Sequence, residues 1–225
     1  MKYEILKDQW LTGVLKKNCY NLKIQGKFEN KKIDLPKGFI TCKLDSNEFS
    51  KSIFLQKHNF CCIDFPITFS LDGNQKLDDI NCRMSNKNDL LSVLNLSKFI
   101  TNSRFHIDKN FSKKEAKLVK YKWVENFFLG NRGTGLVVYE FREKIRGFLL
   151  YILNKGQATI DLIVVDPLYR KKQVASNMIG YLLKENTCKY LSASTQASNI
   201  GAQNFYCKIG FKYKKSSIVL HRNEF

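Results

Sequence analysis

The sequence has 225 residues, of which 44% are hydrophobic, and 38 basic against 20 acidic residues give it a formal net charge of +18. This length and apolar content exclude a disordered chain and allow one large domain or two small ones. No apolar run reaches the ~18 residues that a membrane-spanning helix needs.

The first part of the chain, residues 1–76, is predicted to form a small α/β domain. Its apolar runs indicate strands at 20–24, 38–43 and 59–69. Helical spacing at 47–57 predicts a helix, with Asp45 or Ser46 as its N-cap. Nothing in this part indicates a chemistry.

The second part, residues 77–225, alternates strands and helices and predicts a mixed central sheet with flanking helices. Ser112 and Glu115 form a capping box at the start of one helix. The expected strands are 80–84, 135–141, 147–153, 158–165, 190–194 and a final pair within 210–220. The expected helices are 89–99, 112–130, 171–184 and 199–208.

The high positive charge invites a nucleic-acid partner, but the lysines are scattered singly and in pairs and form no long basic arm. We therefore expect no nucleic-acid partner. The charge should instead speed encounters with small polyanions.

Seven cysteines at irregular spacing favour a reducing compartment, so we expect a cytoplasmic protein. Without a CxxC pair, and with three histidines, no metal site is expected.

The clearest chemical feature is a strand at 160–165 that runs through a basic turn into a helix. The first N–H groups of a helix lack internal partners and attract anions. Arg170, Lys171 and Lys172 add positive charge at this point. The junction is thus either an anion site or an ordinary connection with solvated lysines.

At this junction the sequence resembles the GNAT acetyltransferase superfamily, whose acetyl-CoA motif is Arg/Gln-x-x-Gly-x-Gly/Ala. Residues 170–175 match it except at Gln173, where Gly is usual and lets the backbone approach the pyrophosphate. With a negative φ, Gln173 would still offer its N–H. The resemblance implies acetyl-CoA as acyl donor and a cofactor site at Ile163, Val164, Val165, Arg170, Lys171, Lys172, Gln173, Val174, Ala175 and Ser176.

A second stretch, residues 194–211, resembles the superfamily's C-terminal pattern Asn-x-x-Ala-x-x-Phe-Tyr-x-x-x-Gly-Phe. The resemblance implies that Asn199 contacts the pantetheine arm and that Tyr206 is the general acid. The alternatives are a helix N-cap for Asn199 and an aromatic packed on the sheet for Tyr206.

The two-part layout is similar to the dTDP-fucosamine acetyltransferase group, which acetylates the 4-amino group of a nucleotide-linked deoxysugar for surface-polysaccharide synthesis. This likeness implies a nucleotide-linked amino sugar as acceptor, with Arg104 and Tyr121 near it. A structural ion pair is the alternative for Arg104. A homodimer is left open.

The mechanism expected from the resemblance is direct attack of the amine on the thioester. A main-chain N–H near Ile163 or Val165 would polarise the carbonyl. Asp161 is a candidate base, with a solvated or ion-paired carboxylate as the alternative. Glu125, Glu140 and His106 are weaker candidates. The rival functions are a GNAT enzyme for another amine and a non-catalytic nucleic-acid-binding module.

Overall fold

The computed structural model describes residues 2–26 and 33–224. Within them the chain forms eleven strands and seven helices, with two 3₁₀ turns at Lys87–Asp89 and Pro167–Tyr169. The strands are β1 (Lys2–Lys7), β2 (Cys19–Gln25), β3 (Gly38–Asp45), β4 (Cys61–Asp64), β5 (Pro66–Asp72), β6 (Cys82–Met84), β7 (Gly135–Phe141), β8 (Lys144–Asn154), β9 (Gln157–Val165), β10 (Tyr190–Gln196) and β11 (Lys212–Glu224). The helices are α1 (Gln9–Leu15), α2 (Phe49–Gln56), α3 (Leu90–Ser97), α4 (Arg104–Ile107), α5 (Lys113–Phe128), α6 (Val174–Glu185) and α7 (Ile200–Lys208).

The described strands form one mixed sheet in the order β1-β2-β3-β11-β5-β10-β9-β8-β7-β6, and β4 pairs with β11 off this path. The pairs β2/β3 and β9/β10 are parallel, and the other neighbours are antiparallel. The predicted fold class, a mixed α/β sheet with flanking helices, is confirmed.

Helices pack on both faces of the part of the sheet formed by β7, β8 and β9. On one face, α6 buries Val174, Met178 and Leu182 against the strands, and α7 adds Tyr206. On the opposite face, α3 and α5 pack against β7, β8 and β9. In β9, this arrangement buries Ala158, Ile160 and Val164.

Strand β11 joins the two parts of the chain. Its beginning pairs with β5, from Lys212↔Ser70 to Ser216↔Ile67. Its end pairs with β3 on one side and β4 on the other. The sequence predicts two short strands here, and the structure corrects this to one continuous strand with a bulge.

Local signals in the sequence place several elements correctly. The capping box at the start of α5 is confirmed, because Ser112 Oγ accepts the Glu115 N–H and the Glu115 carboxylate accepts the Ser112 N–H. The β7–β8 hairpin is confirmed as well. It turns at Arg142 and Glu143, whose φ angles of 50° and 58° suit the right-handed twist of a two-residue hairpin loop.

Other predicted bounds are corrected. The strand expected at 59–69 is divided at Phe65 into β4 and β5. The helix expected at 171–184 begins at Val174, after a 3₁₀ turn. The N-cap of α2 is Glu48 rather than Asp45 or Ser46. Strand β1 and helices α1 and α4 were not anticipated.

The division into domains at residue 76 stays a prediction. Strand β5 precedes that boundary but is hydrogen-bonded between β10 and β11, in the same sheet as the second part. This pairing favours a division before Pro66.

Candidate active site

The centre of the site is a gap between the parallel strands β9 and β10. They pair from Gln157↔Tyr190 to Ile160↔Ala193, and no further. Beyond that point residues 162–165 pair only with β8, and residues 194–196 pair only with β5. We call this gap the notch. Its two strand edges leave backbone groups available to an extended ligand, which can pair with them as an added strand.

A β-bulge lies at the inner end of the notch. Leu162 pairs with Leu150 and Ile160 pairs with Tyr151, so Asp161 is the extra residue. Bulges redirect side chains and end strand pairing, and they occur often beside active sites. Pairing with β10 ends at the residue just before this bulge.

The Asp161 carboxylate is held by two side chains. Arg132 donates to it from Nε at 2.7 Å and from Nη2 at 2.8 Å, and Trp123 Nε1 donates at 2.8 Å. The Arg132 guanidinium also stacks on the Trp123 ring, 3.8 Å from its centroid. These contacts favour the ion-paired alternative for Asp161, since both of its carboxylate oxygens accept hydrogen bonds from Arg132 or Trp123.

The N-terminus of α6 follows the outer end of the notch. No side chain caps it, so its first N–H groups are available to a ligand, and Arg170, Lys171 and Lys172 are exposed nearby. Gln173 has a φ of +59°. The condition of a negative φ is therefore not met, because Gln173 adopts the left-handed backbone that glycine adopts most easily.

The left-handed backbone at Gln173 preserves the shape of the turn despite its side chain. The alternation of a left-handed residue with the right-handed Val174 directs successive N–H groups towards one point, as in anion-binding nests. Gly147 of β8 allows α6 to lie close, since an added Cβ there would be 2.9 Å from Val174 Cγ1 and 3.0 Å from the Val164 carbonyl oxygen. Val174, Ala175 and Ser176 thus form the first turn of a helix pressed against the sheet.

Asn199 and Tyr206 both lie on α7, which follows β10. Asn199 is the N-cap: its Oδ1 accepts from Ala202 N at 3.3 Å, and its Nδ2 donates to Thr195 Oγ1 at 3.1 Å. Tyr206 is 3% exposed and packs against Phe69, Phe205 and Phe211. Burial raises the pKa of its phenol well above the ordinary value, so the group is protonated at neutral pH.

The predicted acceptor residues, Arg104 and Tyr121, lie on α4 and α5. Arg104, on α4, is half-buried, and its Nη1 donates to Thr41 Oγ1 of β3 at 3.2 Å. Burial lowers the pKa of its guanidinium. Tyr121, on α5, is 39% exposed, with the Lys122 ammonium 5.9 Å from its ring centroid. Arg104 makes no ion pair within 4 Å with any described residue, so the structural ion pair is not observed there.

A sequence model of the acetyltransferase (GNAT) family matches residues 100–211. The chain contains a GNAT acetyltransferase domain. The matched range holds the bulge, the notch, the basic turn and α7. GNAT domains generally use acetyl-CoA, and the notch and the uncapped α6 N-terminus would suit its amide-containing arm and its pyrophosphate.

The GNAT domain has a curated relative in Bacillus subtilis (strain 168), the spore coat polysaccharide biosynthesis protein SpsD. The two are 27% identical over 124 residues, which cover 54% of this chain and 43% of SpsD. The chain therefore matches less than half of that relative's length.

Solved structures share the fold. One is a functionally unknown conserved protein from Staphylococcus epidermidis ATCC 12228, with a TM-score of 0.63 and 12% identity, covering 83% of this chain and 73% of that one. Another is a GNAT-family acetyltransferase from Colwellia psychrerythraea, with a TM-score of 0.56 and 13% identity, covering 82% and 65%.

Three weaker base candidates in or near the GNAT domain have partners of their own. Glu125 pairs with Lys122 at 2.6 Å, and Glu140 pairs with Arg83 at 2.7 Å. His106 Nδ1 lies 2.8 Å from Ser103 Oγ. Among the described residues, no group of three or more His, Cys, Asp or Glu side chains could hold a metal ion, and no helix is both long and apolar enough to cross a membrane.

Sequence reasoning missed Lys120, which lies on α5 beside Arg104. Its signal was present, since Ala116, Lys120 and Trp123 follow helical i, i+4 and i+7 spacing. A lysine on the apolar stripe of a helix is unusual, because burial penalises its charge.

Proposed function

We propose that the chain transfers an acetyl group from acetyl-CoA to the amino group of a nucleotide-linked amino deoxysugar, in surface-polysaccharide biosynthesis. The observation that carries the transfer reaction is the notch, which leads from the bulge at Asp161 to the uncapped N-terminus of α6. The likeness to SpsD supports the polysaccharide setting. The half-buried Arg104 supports an anionic acceptor.

On the donor side, Ile163, Val164 and Val165 would pair with the amides of the pantetheine arm, since they form one edge of the notch. The first N–H groups of α6, at Val174, Ala175 and Ser176, would bind the pyrophosphate. Their positive helix dipole favours an anion there.

The basic turn adds charge to this donor site. Arg170, Lys171 and Lys172 would neutralise the phosphates, and Gln173 would offer its backbone N–H. Asn199 would bind the donor while it caps α7.

The thioester supplies an acetyl group that is already activated, so the acceptor amine can attack its carbonyl directly. A main-chain N–H near Ile163 or Val165 would polarise that carbonyl. Tyr206, whose phenol is protonated at neutral pH, would donate its proton to the departing sulfur. Most of the rate enhancement would come from holding amine and carbonyl in line, which is worth up to ~7–11 kcal/mol in the best cases.

Asp161 is better suited to positioning than to proton transfer. Its contacts with Arg132 and Trp123 anchor the bulge, and thereby the start of the notch. As a base it would have to give up these hydrogen bonds. We therefore propose that Asp161 fixes the backbone that polarises the carbonyl, and that Arg104 and Tyr121 face the acceptor.

No observation favours a non-catalytic nucleic-acid-binding module. The departure from the motif at Gln173 was its main support in the sequence, and the left-handed φ of Gln173 keeps the turn that a glycine would make. The cytoplasmic location and the homodimer stay predictions.

The test is release of free thiol from acetyl-CoA by the purified chain. The acceptor panel holds aminodeoxysugar nucleotides, with polyamines and amino acids as controls. We expect release with at least one sugar nucleotide and none with the controls. Release only with a polyamine or an amino acid would show that the acceptor belongs to another class of amines. No release with any sugar nucleotide would refute the proposal.

A further inference from the structure

Two half-buried cations, Arg104 of α4 and Lys120 of α5, lie on helices that pack together, close enough for their charges to interact. Burial and then the charge of Arg104 lower the pKa of Lys120 to about 8. Two like charges in a poorly solvated place repel each other, and this arrangement costs folding free energy. We call Arg104 and Lys120 the cation pair.

The cation pair has no anionic partner among the described residues. Arg104 donates one hydrogen bond, to Thr41 Oγ1, and Lys120 lies over the Trp123 ring at 4.3 Å from its centroid. Neither makes an ion pair within 4 Å with a described residue. An ammonium has three donors and a guanidinium five, so most of the donors of the pair are free.

The carboxylates around the cation pair are bound elsewhere. Asp161 is held by Arg132 and Trp123. Asp8 caps α1 by accepting the Leu11 N–H at 2.8 Å, and Asp64 accepts the Phe65 N–H at 2.8 Å. These groups attract the cations at longer range without neutralising them by contact.

The cation pair is connected to the reaction centre through one side chain. The Trp123 ring carries Lys120 on its face, and its indole N–H donates to Asp161 at the bulge. An anion held by the pair would therefore lie about one side chain away from the inner end of the notch. This is the side from which an acceptor can approach the donor carbonyl.

We propose that Arg104 and Lys120 form a subsite for a phosphoryl group of the acceptor, with the Thr41 hydroxyl as an additional donor. The assignment rests on the proposed function, because it places the anion on the molecule that is acetylated. Two cations call for about two negative charges. The two bridging phosphoryl groups of a nucleotide-linked sugar together carry about two negative charges, whereas a carboxylate carries one charge. The planar fork of an arginine matches phosphate oxygens, and a lysine adds a point charge.

The test is calorimetric titration of the purified chain with inorganic pyrophosphate, at a coenzyme A concentration that fills the donor site. We expect one further pyrophosphate to bind. Lys120→Met should weaken this binding about 10- to 100-fold, the range for losing a hydrogen bond to a charged group. Lys120→Arg should retain most of it.

The matched control is Lys117→Met, because Lys117 is an exposed lysine on the same helix. It removes the same charge and should leave the pyrophosphate affinity within about 3-fold. Equal losses in the two variants would show attraction by net charge alone and would overturn the subsite. The absence of any pyrophosphate binding to the coenzyme A-bound protein, or tighter binding of malonate than of pyrophosphate, would also overturn it.

This titration requires no acetyl transfer, so its failure is distinguishable from failure of the proposed function. If a sugar nucleotide is acetylated, Lys120→Met should raise the KM for that acceptor and leave the KM for acetyl-CoA unchanged. A rise in both would place Lys120 in the donor site instead.

Discussion

Replacing Lys120 with methionine should make the fold more stable. The folded protein holds the pKa of Lys120 at about 8 against an ordinary value of 10.5, mainly through burial and then through Arg104. A difference of this size corresponds to roughly 3 kcal/mol at neutral pH. Because the side chain is only half-buried, water screens part of the charge, and we expect about 1–2 kcal/mol.

The sign follows from proton linkage. A lysine whose pKa is lowered by folding penalises the folded state at every pH where the unfolded chain protonates it. The penalty is complete below pH 8, falls between pH 8 and 10.5, and is absent above that. The charged and titratable groups that face Lys120 are Arg104 and His106 of α4, Asp161 of β9 and Arg132.

The assay is urea unfolding of the wild type, Lys120→Met and the control Lys117→Met at pH 7 and pH 10. The free energy of unfolding should rise in Lys120→Met at pH 7, and its excess over the wild type should shrink at pH 10. Lys117→Met should stay within about 0.5 kcal/mol of the wild type, as is usual for exposed positions. A loss of stability in Lys120→Met at pH 7 would refute the reasoning, since it would mean that the ammonium has a stabilising partner.

Three further substitutions test the donor site and the catalytic proposal. Gln173→Gly should raise the free energy of unfolding by up to about 1 kcal/mol, because relief of the left-handed backbone exceeds the added freedom of the unfolded chain. Gln173→Ala should not raise it. Equal urea midpoints for the two variants would contradict this prediction. Tyr206→Phe should lower kcat about 10²- to 10⁴-fold with little change in the KM for acetyl-CoA. Near-normal turnover would refute the role of Tyr206 as general acid. Gly147→Ala should lower the free energy of unfolding by about 1–3 kcal/mol and raise the KM for acetyl-CoA. Both effects follow because the added Cβ would push Val174 and the start of α6 away from the sheet. An unchanged KM would show that this contact does not position the helix.

The sequence predicted elements well where the signal was local. The capping box of Ser112 and the apolar runs on each side of Arg142 and Glu143 each depend on residues a few positions apart. The basic turn at residues 170–173 also carried its own signal. For that reason the sequence places a strand and a helix on the two sides of this turn, although the predicted helix starts at 171 and α6 starts at Val174.

The sequence failed where partners lie far apart along the chain. Strand β11 is one continuous strand because β3, β4 and β5 pair along its length. No pattern within the residues of β11 predicts these partners. The cation pair joins residues 104 and 120 through the packing of α4 on α5. The bulge at Asp161 likewise depends on the register with β8, which the apolar pattern of β9 alone does not specify.

The pairing of β11 has a consequence for the order in which the protein can fold. Strand β3, at residues 38–45, receives one of its two neighbours only when residues 217–224 have been synthesised. The first part of the chain therefore cannot complete its sheet until most of the second part has been synthesised. Until then β3 has an unpaired edge that other chains could join. Contacts of such long sequence separation slow folding. A fragment ending before residue 212 would lack the shared strand of both parts, so neither part is expected to fold as an independent unit when it is produced without the other.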